Sequence, residues 1–341
     1  MRKYLNAALG IAFVFLFAFV LHLVRTQISQ TPNFPTREIA KNENTVEIEV
    51  NSGDSGLVIA KQLEAKGVTA STTIFYELAI TDKRSALIAP GVHNLNRKIS
   101  AKQALEQLLD SDRISGLIAI REGQWRSEIA KMLILAGFKS SDVESAFFRV
   151  KIPKGFSKNE GIYFPAQYSF DKSTTAQQAV QSMVDRFVKE ASKIGLMAGE
   201  KDFTPFQLLT IASLVQAEGD PTDFAKISRV IRNRLKIGMA LQLDTSVQYV
   251  QKRRGEIFLT TKATTINSPY NTYRRTGLPI GPIGSPGVSA MKATLQPENG
   301  DWVFFITVAP GDTRFTSSHD EFLKWKDLYL KNYRAGLFRS K

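Results

Sequence analysis

The chain has 341 residues, of which 43% are hydrophobic, so it is long enough to form two packed domains. It contains no cysteine, which excludes disulfides, cysteine-ligated metals and thiol catalysis. The 45 Lys and Arg exceed the 32 Asp and Glu and give a net charge of +13, which favours an anionic partner such as a lipid surface or an acidic polymer. Nucleic acid is not expected as a ligand, because no arginine-rich tract, zinc-finger spacing or aromatic RNA-binding signature is present. The 3 histidines are far apart in sequence and none lies in an HExxH motif, so neither a metal site nor a cofactor is predicted.

The amino terminus predicts a membrane anchor. Arg2 and Lys3 precede an uncharged, mostly apolar run from Leu5 to Val24, and about 20 helical residues are enough to span a bilayer. The alternative is a cleaved signal peptide, but the run is long for a signal core and no small-residue cleavage pattern follows it. We therefore expect residues 1–25 to form a cytoplasmic start and a single transmembrane helix, with the rest of the chain outside the cell membrane. The polar, proline-containing residues 26–44 are predicted to be a linker.

Residues 45–112 are predicted to form a small α+β module. Apolar and acidic residues alternate over Thr45–Val50, which is typical of a half-buried strand. Apolar residues at helical spacing predict helices at 52–66, 72–80 and 101–109.

Residues 113–341 are predicted to form a second, mixed α+β domain. Its first elements are a strand at 117–121, a helix at 127–136 and an amphipathic helix at 175–193. A helix at 223–236 is expected to carry a basic outer face. Near the carboxyl end we expect a strand at 302–308, its short partner at 314–316 and a helix at 320–333.

The most informative segment begins at Thr204. Thr204, Pro205 and Gln207 match an N-cap hydroxyl, a proline in the first turn and a capping-box glutamine. Apolar residues then recur at i, i+3, i+4 and i+7 and predict a helix with one apolar stripe, formed by Leu208, Ile211, Ala212 and Val215.

Glu218 lies on or beside this stripe, at the carboxyl end of the helix and just before the stop at Gly219. Burial makes a charged carboxylate costly, and the helix dipole opposes negative charge at this end. Both effects favour the protonated form, which a general acid needs near neutral pH. The alternative, for which the pattern alone gives more support, is that Glu218 emerges into solvent or pairs with a nearby arginine.

A long segment from Asn267 to Gly287 is poor in regular structure and dense in Asn, Tyr, Ser, Thr and Pro. Long connections without secondary structure are usually functional or disordered, and the prolines argue against disorder. Amides and hydroxyls that hydrogen-bond, next to flat aromatic rings, suit a sugar ligand. We therefore predict a binding loop.

Several motifs resemble the endolytic murein transglycosylase (YceG-like) family. They keep their order along the chain and are Glu160-Gly161-Ile162-Tyr163-Phe164-Pro165, Ile211-Ala212-Ser213-Leu214-Val215-Gln216-Ala217-Glu218, Arg229-Val230-Ile231-Arg232-Asn233-Arg234-Leu235, Gly238-Met239-Ala240-Leu241-Gln242-Leu243-Asp244, Ser268-Pro269-Tyr270-Asn271-Thr272-Tyr273 and Gly277-Leu278-Pro279-Ile280-Gly281-Pro282-Ile283. Many members carry a second glutamate two residues before the catalytic one, where this chain has Gln216. Gln216 is thus either a spectator or a hydrogen-bonding helper.

The resemblance implies a membrane anchor, a LysM-like module at 45–112 and a lytic transglycosylase domain at 113–341. It implies cleavage of MurNAc–GlcNAc bonds in nascent peptidoglycan glycan strands, with 1,6-anhydroMurNAc ends as product and termination of strand elongation as the cellular effect. Glu218 matches the catalytic acid, and peptidoglycan synthases are expected as partners. As a hypothesis, the residues that hold the sugars are Ser213, Gln242, Asp244, Tyr270, Asn271, Thr272 and Tyr273.

Two rival interpretations remain at the level of sequence. A non-catalytic anchor would bind peptidoglycan through the module at 45–112 and release no product. A muramidase would use Glu218 and Asp244 as a pair of carboxyl groups with water and leave a free reducing end.

Overall fold

The computed structural model describes residues 31–41, 43–51, 53–170, 173–255 and 259–338. The predicted transmembrane anchor at 1–25 lies outside these residues, as do residues 26–30 of the predicted linker. Within the described ranges, no helix has the length and apolar character needed to cross a membrane. The chain divides into two units, one that runs to Leu117 and includes Ser169–Asp171, and one that holds Ile118–Tyr168 and the chain from Lys172. Small sheets mixed with many helices confirm the predicted α+β class.

The first unit is a three-stranded sheet with three helices. Its elements in chain order are β1 (Thr45–Val50), α1 (Gly56–Ala65), α2 (Thr72–Thr81), β2 (Gly91–Asn96), α3 (Ala101–Leu109) and β3 (Ile114–Ser115). The strands pair antiparallel in the order β1-β2-β3. Ser55, Ser71 and Ser100 each cap a helix by accepting a backbone N–H bond. The core between sheet and helices includes Ile48, Leu63, Phe75, Leu95 and Leu105, all fully buried.

The described part of the predicted linker is irregular and is hydrogen-bonded along this unit. The Asn33 side chain accepts a bond from the Ala101 backbone N–H at 3.1 Å, at the start of α3. The Thr36 hydroxyl donates to that of Ser100 at 3.0 Å, and the Asn96 amide donates to the Ala40 carbonyl at 3.1 Å. The chain is thus held against the module well before Thr45.

The first unit also contains a cavity of about 370 Å³. Its apolar wall includes Tyr76 and Ile80 of α2, and its polar lining includes Asn51, Asp54 and Ser85. Ile80 is 65% exposed, so the cavity opens beside an apolar side chain that solvent reaches.

The second unit is mainly helical. The elements from Leu117 onward are β4 (Leu117–Ala119), α4 (Arg126–Leu135), α5 (Ser140–Arg149), β5 (Gln167–Ser169), α6 (Ala176–Lys193), α7 (Pro205–Glu218), α8 (Phe224–Lys236), α9 (Asp244–Gln251), α10 (Thr261–Thr264), α11 (Val288–Leu295), β6 (Phe304–Ala309), β7 (Asp312–Thr316) and α12 (His319–Arg334). Strands β4 and β5 form one two-stranded sheet, and β6 and β7 form another.

Helix α7 is the centre of this unit and packs against α8, α9 and α11. Every residue from Leu208 to Val215 is buried. The prediction of a single apolar stripe was therefore wrong: the predicted stripe is buried, but so are the residues between its members. A helix whose residues are buried on every side lies in the core of its domain, and α7 is such a helix.

Both ends of α7 are fixed by their sequence. Thr204 accepts the Gln207 N–H and Gln207 closes the capping box, as predicted. Gly219 ends the helix in extended rather than left-handed conformation (φ −163°). A Cβ there would lie 2.3 Å from Ile227 Cδ1, so glycine lets α8 pack closely where α7 ends.

Candidate active site

Glu218 is the last residue of α7, and its side chain is half-buried. Its Oε1 atom accepts a hydrogen bond from the Thr245 hydroxyl, and the Thr245 backbone N–H also bonds the carboxyl group. Thr245 lies in the first turn of α9, whose amino-terminal end therefore meets the carboxyl-terminal end of α7.

The surroundings raise the pKa of Glu218, so that a substantial fraction of the carboxyl group is protonated at neutral pH. Burial first and the neighbouring Asp244 second raise its pKa to about 7, against the opposing effects of the Thr245 hydrogen bonds and of Arg234. Among the described residues, no basic side chain lies within salt-bridge distance of Glu218. The structure therefore does not show the alternative in which Glu218 forms an ion pair with an arginine.

Arg234 and Asp244 are each engaged by groups other than Glu218. Arg234 is 7% exposed and donates to the carbonyl oxygens of Val303, at 2.6 Å, and Leu241. Asp244 accepts a hydrogen bond from the Tyr273 hydroxyl. Their charges act on Glu218 in opposite directions without a direct bond to it.

Gln216 holds a neighbouring loop. Its Oε1 accepts a bond from the Gly287 backbone N–H at 2.9 Å, so the side chain is bonded within the fold. A helping role of Gln216 in the reaction stays a prediction. The same loop pairs with the turn after β4, where Gly123 N–H donates to Ser285 O at 2.7 Å and Ser285 N–H donates to Gln124 O at 2.9 Å. Gly284 allows this approach, because a Cβ there would lie 2.6 Å from the Gly123 oxygen.

Three of the predicted substrate-binding residues are buried and bonded to the protein. The Ser213 hydroxyl donates to Thr210 O and accepts from Ile283 N–H, both within α7 and its neighbouring loop. The Asn271 amide donates to the carbonyls of Thr264 and Ile266, and the Thr272 hydroxyl accepts from Leu243 N–H. These bonds fix the loops before α9 and after α10, so the three side chains shape the site from within. Their contact with a sugar stays a prediction.

The remaining predicted residues lie nearer the surface. Gln242 is exposed and has a left-handed backbone (φ +46°), which is unfavourable for a glutamine and is typical of functional sites. Tyr270 and Tyr273 are half-buried, with Tyr273 bonded to Asp244. Sugar contacts by Gln242, Tyr270 and Tyr273 stay a prediction as well.

Sequence reasoning missed Thr245, the role of Arg234, and α9 as a whole. Arg234 was expected on a basic outer face of α8 and is instead buried. The Asp244-Thr245-Ser246 run was a usable signal, because acidic and hydroxyl residues are favoured in the first turn of a helix. Groups of three or more side chains able to hold a metal ion are not found in the described part of the chain.

Comparisons with known proteins define the class. The chain is similar to the Bacillus subtilis protein named endolytic murein transglycosylase. The two are 28% identical over 313 residues, which cover 85% of this chain and 86% of the relative. The protein of that name in Streptococcus pneumoniae D39 is 28% identical over 319 residues and covers 83% of this chain. This chain spans only 58% of the pneumococcal protein. The chain is thus a relative of endolytic murein transglycosylases, in agreement with the enzyme class predicted from its sequence.

The family follows from a match over most of the chain. The YceG-like family matches residues 48–327. A 2.6 Å crystal structure of a YceG-like protein from Listeria monocytogenes has a TM-score of 0.55 and 26% identity, covering 82% of this chain and 98% of that one. The chain belongs to the YceG-like family, and the predicted family is confirmed.

Proposed function

We propose that the chain is an endolytic peptidoglycan lytic transglycosylase that uses Glu218 as its general acid and base. The observation that carries this proposal is a half-buried carboxyl group at the end of the central helix, held by Thr245 and with its pKa raised to about 7. An acid with this pKa keeps a usable fraction of its proton at neutral pH. The names of the relatives supply the substrate class.

The proposed reaction needs one carboxyl group. Protonated Glu218 gives its proton to the oxygen that links MurNAc C1 to GlcNAc, and the C1–O bond breaks. The Glu218 carboxylate then takes the proton of the MurNAc C6 hydroxyl, whose oxygen attacks C1. The product is a 1,6-anhydroMurNAc end, no water is consumed, and Glu218 is again protonated.

Asp244 fits an electrostatic role better than that of a second catalytic carboxylate. It is bonded to Tyr273 and raises the pKa of Glu218. A negative charge beside the reacting sugar would also stabilise the positive charge that develops at C1. A hydrolase would instead need this group free to activate water or attack the sugar.

The test is mass spectrometry of fragments that the soluble part, residues 27–341, releases from purified glycan strands, with Glu218→Gln alongside. We expect anhydro-muramyl ends from the wild type and none from the variant, whose amide is nearly isosteric and leaves the fold intact. Reducing ends would indicate a hydrolase. Full activity of Glu218→Gln would exclude Glu218 as the acid.

We further propose that residues 1–25 anchor the chain in the cell membrane, with its catalytic domain outside, close to peptidoglycan synthases. There, cleavage of nascent strands would terminate their elongation. The long uncharged run after Arg2 and Lys3 supports the anchor. Recovery of the full-length chain in the salt-washed soluble fraction would exclude it.

A second candidate function, glycan binding by the first unit, is favoured by its cavity of about 370 Å³. A cleft with an aromatic wall and a few polar groups suits a sugar. A purely binding protein would release no fragments, so the product analysis separates the two functions.

A further inference from the structure

A second buried carboxyl group lies in the same unit as Glu218. Glu160 is 7% exposed. One of its oxygens accepts a hydrogen bond from the Arg126 backbone N–H at 2.8 Å, and the other accepts one from the Tyr249 hydroxyl at 3.0 Å. The Gly161 backbone N–H also bonds this carboxyl group, and all three donors are neutral. Burial raises the pKa of Glu160 above its ordinary value, against these bonds and the charge of Arg126. Burying a carboxyl group without a charged hydrogen-bond partner costs folding free energy, so we expect a functional reason for Glu160.

Tyr249 links this carboxyl group to the Glu218 site. It follows Thr245 by four residues in α9, so the two side chains lie on one face of the helix, about 6 Å apart along its axis. Thr245 bonds Glu218 at the start of that face, and Tyr249 bonds Glu160 further along it. The same helix is therefore in contact with both acids.

The Tyr249 ring also supports a residue of the predicted binding loop. Its centroid lies 5.0 Å from that of Tyr270, and 5.6 Å from that of Trp125 in an edge-on arrangement. The side chains of Tyr249 and Tyr270 are also joined by a hydrogen bond. Tyr249 is thus packed on two sides by aromatic rings and tied at its hydroxyl to Glu160.

We propose that Glu160 and Tyr249 are positioning residues for the reaction at Glu218: their hydrogen bond fixes α9 so that Thr245 stays bonded to the catalytic carboxyl group. This inference rests on the proposed function. Neither residue touches the reacting atoms; each acts through the helix. A displacement of about 1 Å in an active site can cost about 10²-fold in rate, so a single bond that holds a helix can matter.

The test compares two tyrosine-to-phenylalanine changes near the same carboxyl group. Tyr249→Phe removes the hydrogen bonds of its hydroxyl to Glu160 and to the Tyr270 side chain but keeps the ring contacts, and we expect kcat to fall about tenfold. Tyr163→Phe is the matched control, because the Tyr163 hydroxyl is buried and has no hydrogen-bond partner among the described residues. We expect it to keep the wild-type kcat. A Tyr249→Phe variant that only melts earlier, with kcat intact, would leave Glu160 a purely structural role.

The pH profile gives a readout that a structural role would not move. The groups that act on Glu218 are Thr245, Asp244 and Arg234, and the Thr245 bonds lower its pKa. If α9 shifts and these bonds weaken, the pKa of Glu218 rises and the alkaline limb of the kcat profile moves to higher pH. We expect this movement in Tyr249→Phe and not in Tyr163→Phe.

Two further variants separate this inference from the proposed function. If Tyr249 acts through Thr245, Tyr249→Phe should lower kcat much less in a Thr245→Val background than in the wild type. Glu160→Gln keeps an acceptor for the Arg126 N–H and an amide for the Tyr249 hydroxyl, so it should retain most of the rate that Glu160→Ala loses. If the effects of Tyr249→Phe and Thr245→Val on kcat are additive in an active enzyme, the positioning role is wrong and the proposed function is unaffected. Absence of anhydro products from the wild type would instead overturn the proposed function.

Discussion

At the scale of single residues, the Glu218 carboxyl group links acidity to stability. Burial raises its pKa from an ordinary value of 4.5 to about 7 in the folded chain. Between these two values the unfolded chain has lost a proton that the folded chain retains. The free energy of unfolding therefore falls as the pH rises through this interval. A group that serves as an acid near pH 7 thus weakens the fold at neutral and alkaline pH.

Glu218→Gln should consequently stabilise the chain at pH 8 and not at pH 4. The shift from 4.5 to about 7 corresponds to a gain of roughly 3 kcal/mol at most in the free energy of unfolding. Urea unfolding at both pH values measures the gain. Glu122→Gln is the control for replacing a glutamate by glutamine, since Glu122 is exposed. If Glu218→Gln changed the free energy of unfolding equally at pH 4 and pH 8, burial would not raise the pKa of this carboxyl group.

At the scale of elements, the site depends on two loops that approach each other at backbone distance. The Gly123 turn and the Ser285 loop exchange two backbone bonds, and Gln216 of α7 holds the loop at Gly287. The loops therefore set the position of the chain beside the end of α7, where Glu218 lies.

Gly284→Ala tests this arrangement. Its Cβ would lie 2.6 Å from the Gly123 oxygen, so the loops must separate, at a cost of about 1–3 kcal/mol in stability and with loss of activity at 25 °C. Gly311→Ala is the matched control: it lies at the tip of the β6–β7 hairpin with φ +77° and nothing within 4 Å of a Cβ. It should lower the melting temperature but leave activity at 25 °C unchanged. Equal activity of the two variants would remove the loop pair from the site.

Much of the element pattern could be predicted because local chemistry determines it. Strand β1 has the predicted bounds, and the caps at Thr204 and Ser100 are those that hydroxyl residues favour. Helix α9 could not be predicted in the same way, since its N-cap residue Leu243 makes no side-chain cap bond. Its start is fixed by the buried Thr272 hydroxyl, which lies 29 residues away in the chain.

Within the candidate site, Glu218 could be singled out from the sequence, and the residues that contact it could not. The sequence places a carboxyl group at the end of an apolar helix, where burial and the helix dipole both disfavour its charge. Arg234 looks like any surface arginine, because only the fold brings the carbonyls of Val303 and Leu241 to it. The Glu160–Tyr249 bond joins residues 89 positions apart and likewise has no local signature.

At the scale of the whole molecule, glycan binding by the first unit can be tested separately from the reaction proposed at Glu218. Ile80→Ser should weaken retention on insoluble peptidoglycan by roughly tenfold, because about two methylene groups no longer become buried. A Glu218→Gln background keeps the polymer uncut during the measurement. Leu87→Ser is the control, as Leu87 is also exposed but does not line the cavity. Equal retention of the two variants would argue against a sugar in this cavity.

The hydrogen bond from Ala101 to Asn33 limits how far the first unit can lie from a membrane anchor at the amino terminus. If residues 1–25 cross the membrane, only the stretch from Arg25 to Asn33 separates the bilayer from the point where the chain is fastened to the first unit. Eight residue steps extend to at most roughly 30 Å. The start of α3 in the first unit would then lie no farther than this distance from the end of the membrane span.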